Sequence, residues 1–171
     1  GYRTYGVQSN GWLDQSFGFH QGFDHYVFAR TQRQDDALHR GSQWPHADRV
    51  YAEGERLIDA HPEGAPFFLY LHFMDVHEYG APPEYRDFGS GVAGSYLASI
   101  RWLDDVLARL RQKLERAGVA DSTLIVFASD HGEAFGENHS RGHAQNVLTP
   151  VLHVPLVIRP PFPIEPTRVH T

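Results

Sequence analysis

Apolar positions fall along the chain in short dense runs and one long periodic stretch. Pro66 opens Phe67-Phe68-Leu69-Tyr70-Leu71-His72-Phe73, and Ser122–Ala128 reads STLIVFA. Runs of this length suit strands buried on both faces, as in a parallel sheet. Thr4–Ser9 and Val154–Ile158 read as two further strands. Between the two dense runs, Tyr96, Ile100, Leu103, Leu107, Leu110 and Leu114 recur at alternating spacings of 4 and 3. That is one apolar stripe of an amphipathic helix. Arg101, Asp104, Asp105, Arg111 and Glu115 fall off the stripe, and Gly118 supplies a C-terminal stop. A shorter helix is expected over 50–61, ended by His61-Pro62. Strand, helix and strand over 67–128 predict a βαβ unit with a parallel sheet and a right-handed crossover.

The connecting stretches carry no repeat and no low-complexity tract. Residues 10–30 are rich in glycine and aromatics without a period and read as a packed loop. Trp12, Phe17, Phe19 and Phe23 are expected to form its core rather than a base-stacking platform. Residues 31–50 and 78–90 read as exposed loops. The chain opens at Gly1 inside a strand-like stretch and closes just after a Pro-rich turn. A segment of a larger protein is the expectation.

Composition narrows the classes. With 171 residues, one domain with a real core is expected. Lys+Arg 15 against Asp+Glu 21 gives a net charge of −6, which argues against a sequence-independent nucleic-acid binder. No run approaches the roughly 18 apolar residues of a membrane helix. Cysteine is absent, which excludes disulfides and thiolate metal sites but leaves the compartment open. Histidine occurs 12 times, whereas Lys113 is the single lysine. That balance directs attention to imidazole chemistry.

Asp75-Val76-His77 follows the first dense strand, and Asp130-His131-Gly132-Glu133 follows the second. Ligands gather beyond the carboxyl ends of such strands. A carboxylate oxygen with an imidazole nitrogen suits a divalent cation of hard to borderline character. Either pair alone is equally well explained by a capping aspartate and a loop histidine. Their matched positions point to a shared crevice holding His77, Asp130, His131 and His143. Gly132 is expected to allow a tight turn. His131, His139 and His143 also suggest zinc, but Ser140 and Gly142 make a helical i, i+4 pair poor there. The better division places His131 on a metal, His143 on substrate and His139 at the surface. Glu133 and Glu137 read equally as groups that orient a ligand and as local salt bridges.

Four segments resemble the sulfatase family of the alkaline-phosphatase-like superfamily. They are GYRTYGVQSNGWL with FGFHQGFD, then PFFLYLHFMDVHEY, then SYLASIRWLDDVLARL leading into STLIVFASDHGEAFGE, and HVPLVIRPP. The resemblance implies an α/β fold, a three-layer sandwich around a mostly parallel central sheet. It implies one divalent cation, calcium by preference and otherwise manganese or zinc, with Asp130 and His131 among its ligands. His77 and His143 match residues that contact the sulfate or phosphate oxygens and assist catalysis, with Asp75 in support on the substrate side. Sulfatases often carry Asn where His131 stands, while related phosphatases, phosphonate hydrolases and phosphoethanolamine-type transferases carry His.

The family nucleophile, a formylglycine made from Cys or Ser, has no counterpart in residues 1–171, which carry no C/S-x-P-x-R pattern. Residues 1–171 are therefore expected to be a partial catalytic domain, inactive alone, that associates with itself or with the missing part. The implied activity is sulfuric ester hydrolysis on a sulfate or phosphate ester. The alternatives are phosphoryl or phosphonate ester hydrolysis, phosphoethanolamine-type transfer, and a non-catalytic interaction module.

Overall fold

The computed structural model describes residues 1–29, 47–144 and 146–168. The chain divides into two compact units, Gly1–Lys113 and Leu114–Thr171.

The first unit is organised by a parallel sheet in the order β2-β1-β3, formed by β1 (Arg3–Gln8), β2 (His25–Phe28) and β3 (Phe67–Leu71). Tyr5 stands opposite both His25 and Leu69, which makes β1 the central strand. Its residues Tyr5–Gln8 are buried, as a parallel strand flanked on both sides requires. Helix α1 (Ala47–Asp59) follows β2 in the chain and packs Val50 and Leu57 against Tyr5 and Val7. Burying such side chains contributes about 1.5–3 kcal/mol each. Gly54 lets the helix approach: a Cβ there would stand 3.1 Å from a Leu71 methyl. On the opposite face Gly6 leaves room for Tyr26, whose ring would lie 2.5 Å from an added Cβ.

Several expectations shift here. Residues 10–29 are not wholly loop, because His25–Phe28 pairs with β1. Of the four loop aromatics, only Phe23 packs inward, against Tyr26 and Phe68, while Trp12, Phe17 and Phe19 are exposed. The helix expected over 50–61 begins at Ala47, within the stretch read as loop; residues 31–46 of that stretch lie outside the described residues. β3 is buried on one face only: Phe67, Leu69 and Leu71 turn to the core, whereas Phe68 and Tyr70 are exposed.

After β3 the chain makes the single turn α2 (Asp75–Glu78) and then the long helix α3 (Val92–Arg116). The glycine stop holds: Gly118 takes a left-handed φ of 70°, and the amides of Gly118 and Val119 close onto Glu115 and Leu114. The buried face of α3 is rotated from the expected stripe. Ala98, Ser99, Trp102 and Val106 are buried with Leu103 and Leu114, while Ile100 is exposed. The cause is polar. Trp102 Nε1 donates to Asp75 Oδ1 at 2.9 Å, and Ser99 Oγ accepts from Ala81 N–H. These bonds turn the small-residue face inward. Lys113 is spent on α1, where it pairs with Asp59 and Glu55.

Asp75 also accepts the first amide of α1, from Ala47, at 3.0 Å. One buried carboxylate thus serves an indole and a helix N-terminus. Asp75→Ala is expected to lower stability by about 2–4 kcal/mol, because buried donors lose a charged acceptor. Asp75→Asn, which keeps an oxygen there, should lose less than half of that. Urea unfolding of the two variants checks the ranking.

In the second unit β4 (Ile125–Ala128) pairs antiparallel with β7 (Leu156–Arg159). Each dense run forms its strand within its own unit, β3 beside β1 and β4 beside β7. A second antiparallel pair, β5 (Ala134–Phe135) with β6 (Arg141–Gly142), and the turn α4 (Thr149–Leu152) complete this unit.

Candidate active site

In the second unit the candidate chemistry sits on the loop that leaves β4 and on the hairpin that follows it. Three contacts anchor the loop. Ser129 Oγ donates to the His131 carbonyl at 2.7 Å, Gly132 N–H donates to the Val151 carbonyl at 2.7 Å, and His131 N–H donates to Asp130 Oδ1 at 3.1 Å. Gly132 is needed for close approach rather than for an unusual dihedral. A Cβ there would stand 2.1 Å from the Pro150 carbonyl oxygen.

The hairpin explains why residues ten apart meet. Ala134 stands opposite Gly142 and Phe135 opposite Arg141. Continuing that register one step places Glu133 opposite His143. The turn between the strands uses left-handed Asn138 and His139 after Gly136 at φ 138°. Glu137 closes it by accepting the Phe135 amide at 2.6 Å. Backbone amides, its own first and then that of Phe135, hold the Glu137 carboxyl below its ordinary value.

The ring hydrogen bonds favour one tautomer in each neutral imidazole. His131 Nδ1 lies 2.9 Å from the Gly132 carbonyl oxygen, which only accepts, so Nδ1 carries the proton. His143 Nδ1 lies 3.0 Å from Glu133 Oε2, and the carboxylate again requires a donor. In both neutral rings the lone pair is therefore on Nε2. The rings stack with centroids 4.1 Å apart and planes at 20°. Asp130 is exposed, with a side-chain accessibility of 85%, and Glu133 is buried at 7%.

A solvent-open carboxylate beside an imidazole that donates through Nδ1 and so presents Nε2 as its ligand atom fits a divalent cation of hard to borderline character. The fit lies in the donor chemistry of Asp130 and His131. His143 is brought against His131. His139 is exposed on the hairpin turn, matching its expected surface position. In the first unit, Asp75 and His77 share α2; His77 is exposed and its Nδ1 lies 3.0 Å from Glu78 Oε1. Sequence reasoning left the role of Glu133 open. The Gly136–Ser140 turn, flanked by two short segments, was the signal that would have paired Glu133 with His143.

The α/β fold thus carries a carboxylate and two oriented imidazoles on the loop and hairpin beyond a strand end. The family model described as Sulfatase matches residues 1–171, and the chain belongs to the sulfatase family. It is 34% identical over 112 residues to iduronate 2-sulfatase of Homo sapiens, covering 58% of this chain and 20% of that protein. It is 32% identical over 91 residues to GPI ethanolamine phosphate transferase 1 of Saccharomyces cerevisiae (strain ATCC 204508 / S288c), covering 53% and 9%. Its fold is similar to that of the lipoteichoic acid synthase LtaP from Listeria monocytogenes, with a TM-score of 0.71, 18% identity, and coverage of 96% of this chain and 45% of the other. The chain thus spans a fifth or less of the length of these two relatives matched by sequence. No helix among the described residues is long and apolar enough to cross a membrane.

Proposed function

We propose that residues 1–171 are part of the catalytic domain of a metal-dependent sulfuric ester hydrolase whose nucleophile lies on another segment. Asp130 and His131 hold one divalent ion, with calcium preferred over manganese or zinc. His77 and His143 meet the ester, and Asp75 supports the turn that carries His77. The observation that carries the reading is the loop after β4, where Asp130 is open and His131 and His143 are stacked with both Nε2 lone pairs set. The family match over the whole chain supports it.

A bound divalent ion would polarise a non-bridging oxygen of the ester. The chain's own residues do the rest. Glu133 occupies His143 Nδ1, so Nε2 is the atom offered to an ester oxygen. Protonated there, the imidazole donates to that oxygen and balances charge developing in the transition state. One of His77 and His143 passes its proton to the departing alcohol. Leu124, Val126, Leu156, Val157 and Ile158 are all more than half exposed, which supports association of this surface with further polypeptide.

A second reading transfers a phosphoryl or phosphoethanolamine group instead. It is favoured by His131, where the resemblance places Asn in many sulfatases, and by the likeness to an ethanolamine phosphate transferase. Matched aryl sulfate, aryl phosphate and phosphonate monoester substrates, assayed on the full-length protein with and without added calcium or manganese, separate the readings. The expected outcome is metal-dependent turnover with sulfate released fastest. Faster phosphate or phosphonate cleavage would establish the second reading. No metal-dependent turnover of any ester would overturn both.

A further inference from the structure

We infer that Glu133 is a positioning residue that holds His143 in one tautomer and one ring orientation. This rests on the proposed contact of His143 with substrate. Three observations carry it. The β5–β6 register sets Glu133 opposite His143, so their meeting is built into the hairpin. The Glu133 side chain is 7% exposed and its Oε2 lies 3.0 Å from His143 Nδ1, so water competes poorly for that bond. The His143 ring also lies flat against His131 at 4.1 Å, which fixes its plane.

Free neutral imidazole in a histidine side chain prefers the proton on Nε2. Glu133 opposes that preference by accepting from Nδ1. With Glu133 on Nδ1–H, Nε2 keeps the lone pair that takes up a proton, and the carboxylate steadies the imidazolium that then donates from Nε2; without it that proton is held less firmly and the ring is free to turn. Gly142 contributes through its left-handed φ of 79°, which glycine adopts without strain and which carries the strand into His143. Asp130 and His131 make separate contacts, with the His131 amide and the Gly132 carbonyl. Glu133 therefore acts through His143 and not on the ester.

Two-bond nitrogen–proton correlation spectra of the ¹⁵N-histidine-labelled full-length protein, at a pH where the rings are neutral, read the tautomer directly. The wild-type His143 ring is expected as the Nδ1–H form. In Glu133→Ala the population should move toward Nε2–H, and Glu133→Gln, which keeps an acceptor oxygen, should restore Nδ1–H. Turnover should follow, with kcat falling about 10–100-fold in Glu133→Ala and KM changing less. A wild-type Nε2–H tautomer, or a tautomer unchanged in a folded Glu133→Ala, would overturn the inference. The wild-type spectrum decides the point even if the alanine variant does not fold. Should the tautomer switch as expected while His143→Ala retains full turnover, the positioning of His143 stands. The reading that His143 meets substrate then fails.

Discussion

Gly132→Ala is expected to reduce turnover about 100-fold, because a shift of about 1 Å in a reacting group costs that much. The added methyl would stand 2.1 Å from the Pro150 carbonyl oxygen, a backbone atom at the start of α4 that cannot rotate away. Either α4 or the 129–133 loop must move. Both outcomes stretch the 2.7 Å bond from Gly132 N–H to Val151 and displace the Gly132 carbonyl, the acceptor that fixes the His131 tautomer. The steric cost should appear as about 1–3 kcal/mol of lost stability. Thermal unfolding and kcat/KM measured together check both effects. A variant with wild-type turnover and melting temperature would show that the loop does not need this close approach.

His131→Ala and Asp130→Ala carry the second large effect. Each removes a proposed ligand, and electrophilic stabilisation by a bound divalent ion is worth several kcal/mol in the transition state. Turnover should fall about 1,000-fold in either variant, from the corresponding loss in barrier lowering. Asp130 is exposed, so in metal-free buffer its alanine variant should unfold within a few degrees of wild type, the small loss being its bond from the His131 amide. His139→Ala is the internal control. That residue lies exposed on the hairpin turn, and its loss should leave turnover within about twofold. Equal loss in all three variants would point to a damaged loop rather than to missing ligands.

Much of the fold was legible in the sequence because its signals are local. The strands near 4–9, 67–73, 122–128 and 154–158, the long helix and its glycine stop all follow from hydrophobic period and turn chemistry. Which strands pair was not legible. Phe67–Leu71 and Ile125–Ala128 are alike as apolar runs, yet one joins a parallel sheet and the other an antiparallel pair. The rotated face of α3 was equally hidden, since the bond from Trp102 to Asp75 links residues 27 apart and no periodicity reports it. For the candidate site, Asp130, His131 and His143 were legible as residue types beyond a strand end. The tautomers were not, because they depend on the Gly132 carbonyl and on a hairpin register that brings Glu133 to His143.

Asp130 and His131 are the proposed ligands of one divalent ion on the loop after β4. Crystals of the full-length protein equilibrated with manganese, with diffraction recorded on either side of the manganese absorption edge, test this assignment most directly. One strong anomalous peak is expected, bonded to an Asp130 carboxylate oxygen and to His131 Nε2, and absent in His131→Ala. A peak elsewhere with these two side chains unligated, or one unchanged in His131→Ala, would contradict it.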